Sequence, residues 1–339
     1  MLDALQYRKR FELAIEERNF TLARWLGREI DDEHVATASN WLTAQGNPES
    51  FVRGHKRRDD SNAAREQLVY AIERVTYADP MLADELWRSN RQRDAFSEKH
   101  RLLTERHIAL WMARDRLPAA YRYLKRLPKA AQNDEVARWR ARTSLRNSDW
   151  KMLLGDIALL SPSEQASEEW RYWRAIAWQN TGQPGAARNE FESLAAERSY
   201  YGFLAADELN TAYVFEHNGS LADEQAIDKI AARPEIIRAR ELFYVGLDGR
   251  GRSEWDSVVD YMSDDDKMQA AILADRWGWH SRAIATAASV GEYDDLSLRY
   301  PLPYRQTFVQ HAGAAGIPPT WAYGVARSES LFMRDVRSR

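Results

Sequence analysis

The chain has 339 residues, of which 44% are hydrophobic and 29% charged, and its formal net charge is −3. Charges that cancel this closely give no overall electrostatic case for nucleic acid, and no apolar run approaches the roughly 18 residues of a membrane span. The absence of cysteine excludes disulfides, zinc–thiolate sites and cysteine nucleophiles.

Residues 1–210 are predicted to form consecutive helices joined by short turns. Apolar residues recur at spacings of three and four, as on one face of a helix, and Phe11, Ala14 and Ile15 are the first such group. The run Gly46-Asn47-Pro48 is a stop signal, because glycine permits a left-handed cap and proline cannot continue a helix. Helix pairs in series of this kind predict an α-solenoid.

The segment 170–209 is the best single unit of this array. The turn Gly182-Gln183-Pro184-Gly185 separates two apolar stripes, and small alanines beside it allow the two helices to approach closely, as in a tetratricopeptide unit. Trp170, Trp173 and Trp178 fall near helical spacing, so core packing is favoured over stacking against a sugar.

Residues 211–224 interrupt the helical pattern with the turn cluster Asn218-Gly219-Ser220, and we place a domain boundary there. Helices are expected to resume near Ile227, with Gly249-Arg250-Gly251 and Trp277-Gly278-Trp279 as turns between them. Strand patterns are almost absent, so the predicted fold class is all-α.

Residues 300–339 form the last predicted segment. The run Tyr300-Pro301-Leu302-Pro303-Tyr304 predicts an extended linker, because its two prolines fix φ and lack N–H donors. Helices are predicted near 305–313 and 320–328, and the acid Glu329 follows the second of them.

Two separated motifs resemble those of bacterial soluble lytic transglycosylases. The first is the run Tyr300-Pro301-Leu302-Pro303-Tyr304, followed by Ala326-Arg327-Ser328-Glu329-Ser330 and by Phe332. The second is the run RSYYGFLAA at 198–206, in which the two tyrosines are interpreted as packing residues and not as ligands. The resemblance spans essentially the whole chain, although the motifs themselves are a minority of it.

The resemblance implies an α-superhelix over 1–210, a helical linker domain over 211–299 and the start of a lysozyme-like catalytic domain over 300–339. It also implies cleavage of the β-1,4 bond between N-acetylmuramic acid and N-acetylglucosamine in peptidoglycan, which leaves a 1,6-anhydro end during cell-wall turnover. The implied location is the periplasm, the implied ligands are peptidoglycan glycan strands, and cell-wall synthesis proteins are a further class of partner. No cofactor is implied.

Glu329 matches the family's sole catalytic acid. Ser338, nine residues later, matches a serine of the substrate cleft, and Ser330 is the second candidate for substrate binding. One carboxylate suffices if it first protonates the leaving oxygen and then deprotonates the substrate's own 6-hydroxyl as that group attacks. A hydrolase with two carboxylates remains an alternative, for which Asp335 is the nearby candidate, although we interpret it as a solvated loop acid.

The sequence also departs from the family's pattern. Met333-Arg334 replaces the usual Asn/Asp-Pro, and the glycine-rich stretch that ends in Gly-Leu-Met-Gln does not occur before Arg339. We therefore expect this chain to be inactive by itself, and the stretch from Gly316 onward to be partly ordered at best unless something else supplies the missing wall.

Two further interpretations concern function class and ligands. A non-catalytic α-solenoid that holds a partner protein or a glycan strand would share the same fold. The seven histidines are scattered without a HExxH pattern, so no metal site is predicted. The N-terminus lacks the apolar core of a signal peptide, which leaves open a cytosolic protein or one whose signal has been removed.

Overall fold

Every regular element in residues 3–55, 61–91 and 96–337, the ranges that the computed structural model describes, is helical. This confirms the predicted all-α class. Contacts between Cα atoms divide the chain into two units, Met1–Val214 and Phe215–Arg339.

The first unit contains fourteen α-helices in the part of the chain that is described, with one 3₁₀ turn at Lys129–Ala131 between α8 and α9. They are α1 (Ala4–Glu16), α2 (Phe20–Gly27), α3 (Asp32–Gly46), α4 (Pro48–Gly54), α5 (Asn62–Ala78), α6 (Pro80–Arg91), α7 (Glu98–Arg114), α8 (Ala120–Arg126), α9 (Asp134–Arg146), α10 (Trp150–Ile157), α11 (Pro162–Gln165), α12 (Glu168–Asn180), α13 (Pro184–Ala195) and α14 (Tyr200–Leu209).

A recurring turn follows the ends of several helices of this unit. After the last helical residues, one residue adopts positive φ, and the next backbone N–H donates to the carbonyl five residues earlier, as in a Schellman motif. Glycine supplies the left-handed residue between α12 and α13, but arginine, serine or asparagine does so elsewhere. The left-handed residues are Arg18, Arg116, Ser148, Gly182 and Asn210.

Tryptophans and alanines fill the core of the first unit. Trp170 is buried, and Trp173 and Trp178 pack against buried clusters, which confirms that these three rings serve packing. Tyr201 also packs against the cluster around α12 and α13. Tyr200, the first residue of α14, is 69% exposed, and its ring contacts that of Tyr201 edge-on with the ring centres 5.2 Å apart.

The second unit contains eight helices in its described part. They are α15 (Glu224–Ala231), α16 (Pro234–Tyr244), α17 (Asp248–Val259), α18 (Asp264–Arg276), α19 (His280–Ser289), α20 (Leu296–Arg299), α21 (Arg305–Ala314) and α22 (Pro319–Ser330).

The predicted turn at Gly249-Arg250-Gly251 is wrong, because these residues lie in the first turns of α17. A Cβ atom on Gly251 would lie 3.1 Å from the Ala239 carbonyl oxygen and 3.3 Å from the Trp279 ring. Glycine therefore allows α17 to approach α16 closely, and it does not interrupt a helix here. The turn at Trp277-Gly278-Trp279 is confirmed, with Gly278 at φ 72°.

Gly251→Ala is predicted to destabilise the second unit by about 1–2 kcal/mol, because the added methyl group meets backbone atoms and a buried ring that cannot move aside. Gly249→Ala is the matched control in the same helix. Its added methyl group would meet only side-chain ends at 3.7 and 3.8 Å, so the helix propensity of alanine should leave stability unchanged or raised. Urea unfolding followed by tryptophan fluorescence measures both, and equal effects would contradict this packing.

Candidate active site

The helix that carries Glu329, α22, packs on the proline-rich linker that precedes α21. The Tyr323 hydroxyl donates to the Pro303 carbonyl at 2.8 Å, and the Arg327 Nε donates to the Arg299 carbonyl at 2.6 Å. The Arg327 guanidinium also lies 4.4 Å from the centre of the Tyr300 ring. The linker motif and the helix are thus joined by direct contacts, and not only by their order in the sequence.

Stacked aromatic rings hold α22 against α21. Phe308 and Tyr323 stack with their ring centres 4.1 Å apart, and Phe332 meets Tyr323 edge-on at 6.3 Å. Tyr323 is 8% exposed, so this face of α22 is buried.

The opposite face of α22 is open to solvent and carries Glu329. Trp321 and Val325 precede the acid at spacings of four and are 60% and 46% exposed, and Glu329 is exposed as well. Glu329 makes no hydrogen bond or ion pair with a residue that the structure describes. A general acid for glycoside cleavage works from an enclosed apolar pocket, and these residues do not provide that enclosure.

Ser330 has a local structural role at the end of α22. Its hydroxyl donates to the Ala326 carbonyl at 2.6 Å and accepts from the Phe332 N–H at 3.0 Å. Leu331 and Phe332 both adopt positive φ, so the chain turns sharply here and leaves the helix. Substrate binding by Ser330 stays a prediction, and Ser338 lies outside the described residues.

Two ion pairs hold the segment after α22 on the side of α17. Arg334 donates to Asp248, with Nη2 at 2.6 Å from Oδ1 and Nε at 3.2 Å from Oδ2. Arg252 donates to the next residue, Asp335, through two hydrogen bonds of 2.9 and 2.8 Å. We call these four residues the charge clamp. Its two helical members are four residues apart, and therefore lie on the same side of α17.

The two pairs differ in burial. Asp248 is 4% exposed, so its carboxylate depends on Arg334, which also donates to the Phe243 carbonyl at 2.9 Å. Asp335 is more exposed, and its hydrogen bonds with the Arg252 guanidinium lower its pKa. Asp335 lies in the loop after α22 with a side chain that is 38% exposed, which agrees with a solvated loop acid, and its carboxylate also pairs with Arg252.

The expectation of partial order at best from Gly316 onward holds unless other residues supply contacts, and the rest of the second unit supplies them. Residues 319–330 form α22, and contacts with the second unit continue as far as Asp335. The physical reason is that the helical domain supplies the stabilising partners that a short segment lacks by itself. A cavity of about 40 Å³ lies where Phe332 and Arg334 meet Phe243 and Trp279.

Sequence reasoning did not identify Asp248, Arg252 and Arg334 as residues of this region. The alternating charges of Asp248 and Arg252 at helical spacing, and of Arg334 and Asp335 in succession, were visible. Their pairing was not, because more than eighty residues separate the partners.

The described residues contain no group of three or more His, Asp or Glu side chains that could hold a metal ion. In the same part of the chain, no helix is long and apolar enough to cross a membrane.

The family profile of the soluble lytic murein transglycosylase L domain matches residues 229–296, from within α15 to the start of α20. The chain is similar to bacterial soluble lytic murein transglycosylases, the family that its motifs resemble.

The similarity extends over nearly the whole chain. The soluble lytic murein transglycosylase of Escherichia coli K12 is 25% identical over 338 residues, which are 99% of this chain and 52% of that protein. An inactive mutant of the lytic transglycosylase Slt from Pseudomonas aeruginosa has a structure that superposes with a TM-score of 0.84 at 26% identity, covering 99% of this chain and 55% of that one.

The 70-kDa soluble lytic transglycosylase of Escherichia coli shows the same fold, with a TM-score of 0.80 at 24% identity and coverage of 99% of this chain and 54% of that one. The chain spans about half the length of the curated relatives it matches.

Arg334→Ala is predicted to release the segment after α22, because the buried Asp248 carboxylate loses its cationic partner. We expect the stability of the docked segment to fall by about 1–3 kcal/mol. Limited trypsin digestion with mass spectrometry measures the gain in cleavage after Arg327. Arg337→Ala is the control, since Arg337 is exposed and does not belong to the clamp. Equal cleavage in the two variants would contradict the clamp.

Proposed function

We propose that this chain is part of a lytic transglycosylase that acts on peptidoglycan in the periplasm. The observation that carries the proposal is the position of Glu329. It ends a helix that packs on the Tyr300–Tyr304 linker and follows a domain of the lytic transglycosylase L type. The names of the relatives, which refer to murein, support the substrate.

In the proposed reaction, Glu329 protonates the glycosidic oxygen between N-acetylmuramic acid and N-acetylglucosamine. The C1–O4 bond breaks, and the 6-hydroxyl of the same muramic acid attacks C1. Glu329 then accepts the proton of that hydroxyl, so the carboxylic acid is regenerated and a 1,6-anhydro end is formed without water. Ser330 and Ser338 remain the proposed substrate-binding residues.

The arrangement supports a mechanism with one catalytic carboxylate over a mechanism with two. Ordinary glycosidases place a second carboxylate about 5–9.5 Å from the acid to attack the sugar or to activate water. Asp335 is engaged by Arg252 through both oxygens, and is therefore unsuited to that role.

In this proposal, the residues that the structure describes do not by themselves form a complete active site. Glu329 is exposed, and the exposed Trp321 and Val325 beside it need further residues to form an enclosed cleft. This exposure also favours the second candidate function, a helical scaffold that holds a glycan strand or a partner protein, including cell-wall synthesis proteins.

Activity is predicted to depend on Glu329 once the cleft is complete. We propose a chimera in which the C-terminal remainder of the Escherichia coli relative follows Arg339. The chimera should release anhydro-muropeptides from purified sacculi, and Glu329→Gln should reduce the rate by about 10²–10⁴-fold. Glu241→Gln, which changes an exposed acid of the second unit, is the control and should leave the rate unchanged.

Mass spectrometry of the products separates the alternatives. Anhydro ends support the transglycosylase, whereas reducing ends, heavier by one water, would indicate the hydrolase with two carboxylates. A folded chimera that releases neither would favour the scaffold. The chain alone should release no product, and anhydro-muropeptides from it would contradict the proposed incompleteness of the cleft.

A further inference from the structure

One face of α7 borders an open cavity of about 430 Å³ within the first unit. This volume lies within the about 300–1,000 Å³ of small-molecule sites. Residues of α5, the turn after α1 and the start of α9 complete the walls. Seven residues of α7 line it, and most of them recur at spacings of three and four along one side of the helix: Leu103, Thr104, Arg106, His107, Leu110, Trp111 and Arg114.

Among the charged side chains that line this cavity, the guanidinium groups outnumber the carboxylates by one. Arg18 pairs with Glu73 through two hydrogen bonds of 3.0 and 3.1 Å, and Arg114 donates to Glu135 at 2.7 Å. Arg106 lines the same cavity and has no ion pair or hydrogen bond with a residue that the structure describes. The cavity can therefore accept one negative charge without breaking an existing pair.

Two polar atoms in this cavity's lining are buried and have no hydrogen-bond partner in the described part of the chain. They are the Oγ1 of Thr104, a residue only 5% exposed, and the Nε2 of His107. Burial lowers the pKa of His107, so its ring is neutral at pH 7 and Nε2 can donate or accept. Such atoms are costly to bury unless a ligand or water bonds to them.

The remaining wall is apolar and held in place. Val69, Leu103 and Leu110 line the cavity beside the Trp111 ring. The Tyr77 ring packs edge-on against both His107, at 5.3 Å, and Trp111, at 4.9 Å. These contacts fix the orientation of the imidazole and the indole before any ligand arrives, which reduces the entropy lost on binding.

We propose that this cavity binds an N-acylated carboxylate, that is, a molecule with one carboxylate, a neighbouring amide and small apolar groups. The carboxylate pairs with Arg106, and the amide C=O and N–H bond to Thr104 Oγ1 and His107 Nε2. The apolar groups lie against Leu103 and Trp111.

Peptidoglycan offers this chemistry in two places: the lactyl carboxylate of N-acetylmuramic acid, next to its N-acetyl group, and the terminal carboxylate of a stem peptide. The choice of peptidoglycan as the source of the ligand rests on the proposed function. The cavity itself is independent of that proposal, because Glu329 does not line it. Binding here would hold a substrate or product away from the reacting bond.

Calorimetric titration of the chain with three small probes tests the site and its ligand class. N-acetylmuramic acid and N-acetyl-D-alanine represent the two sources, and N-acetylglucosamine lacks the carboxylate. At least one acid should bind, and at least about tenfold more tightly than N-acetylglucosamine. The acid that binds more tightly identifies the source. Absence of binding by both acids at millimolar concentration, or equal binding by N-acetylglucosamine, would overturn the proposal.

Three variants locate the binding. Arg106→Gln should weaken binding of the acid at least about tenfold. Thr104→Val keeps the side-chain shape, so it should weaken binding while leaving the melting temperature unchanged or higher, a combination that a purely structural role does not give. Arg101→Ala, on the same helix but outside the cavity lining, is the control and should bind normally.

Unchanged binding by Arg106→Gln would also overturn the proposal. Glu329→Gln should bind the acid as the unchanged chain does, so this assay is independent of catalysis. Failure of the transglycosylase assay therefore leaves the binding result intact, and the reverse also holds.

Discussion

The charge clamp is the interaction on which the candidate active site depends. Helical spacing brings Asp248 and Arg252 to one side of α17, and the consecutive Arg334 and Asp335 present the opposite charges to them. Each pair uses two hydrogen bonds, and the buried Asp248 makes the first pair costly to break. Because the clamp lies a few residues after Glu329, it restricts where the end of α22 can lie.

Buried aromatic side chains stiffen the part of the second unit that supplies Asp248 and Arg252 to the charge clamp. Trp255 and Trp279 are buried, and Phe243 stacks on Trp279 at 4.8 Å, which places the carbonyl that accepts from Arg334 next to the core. Gly251 allows α17 to lie close to α16. The position of Glu329 thus depends on the packing of residues that precede it by 50 to 86 positions in the sequence.

The spacing of apolar residues and the positions of glycine and proline predicted the helices well, because an apolar face on a helix is a local property of the sequence. Local patterns could not predict which residues would adopt left-handed conformations. Arg18, Arg116 and Ser148 do so where glycine is absent, since the turn is fixed by the packing of the helices on either side. For the opposite reason, Gly251 resembled a turn residue but serves close helix packing. In the site, family motifs marked Glu329, whereas the clamp and the exposure of the acid required the tertiary structure.

Within this chain, the rest of the second unit holds the helix that carries Glu329 in place. Hydrogen–deuterium exchange with mass spectrometry measures this directly, because an amide in a docked helix exchanges far more slowly than one in an unfolded peptide. Peptides from α22 should be protected to an extent comparable with peptides from α17. Exchange of α22 at the rate of an unstructured peptide, while α17 stays protected, would contradict it.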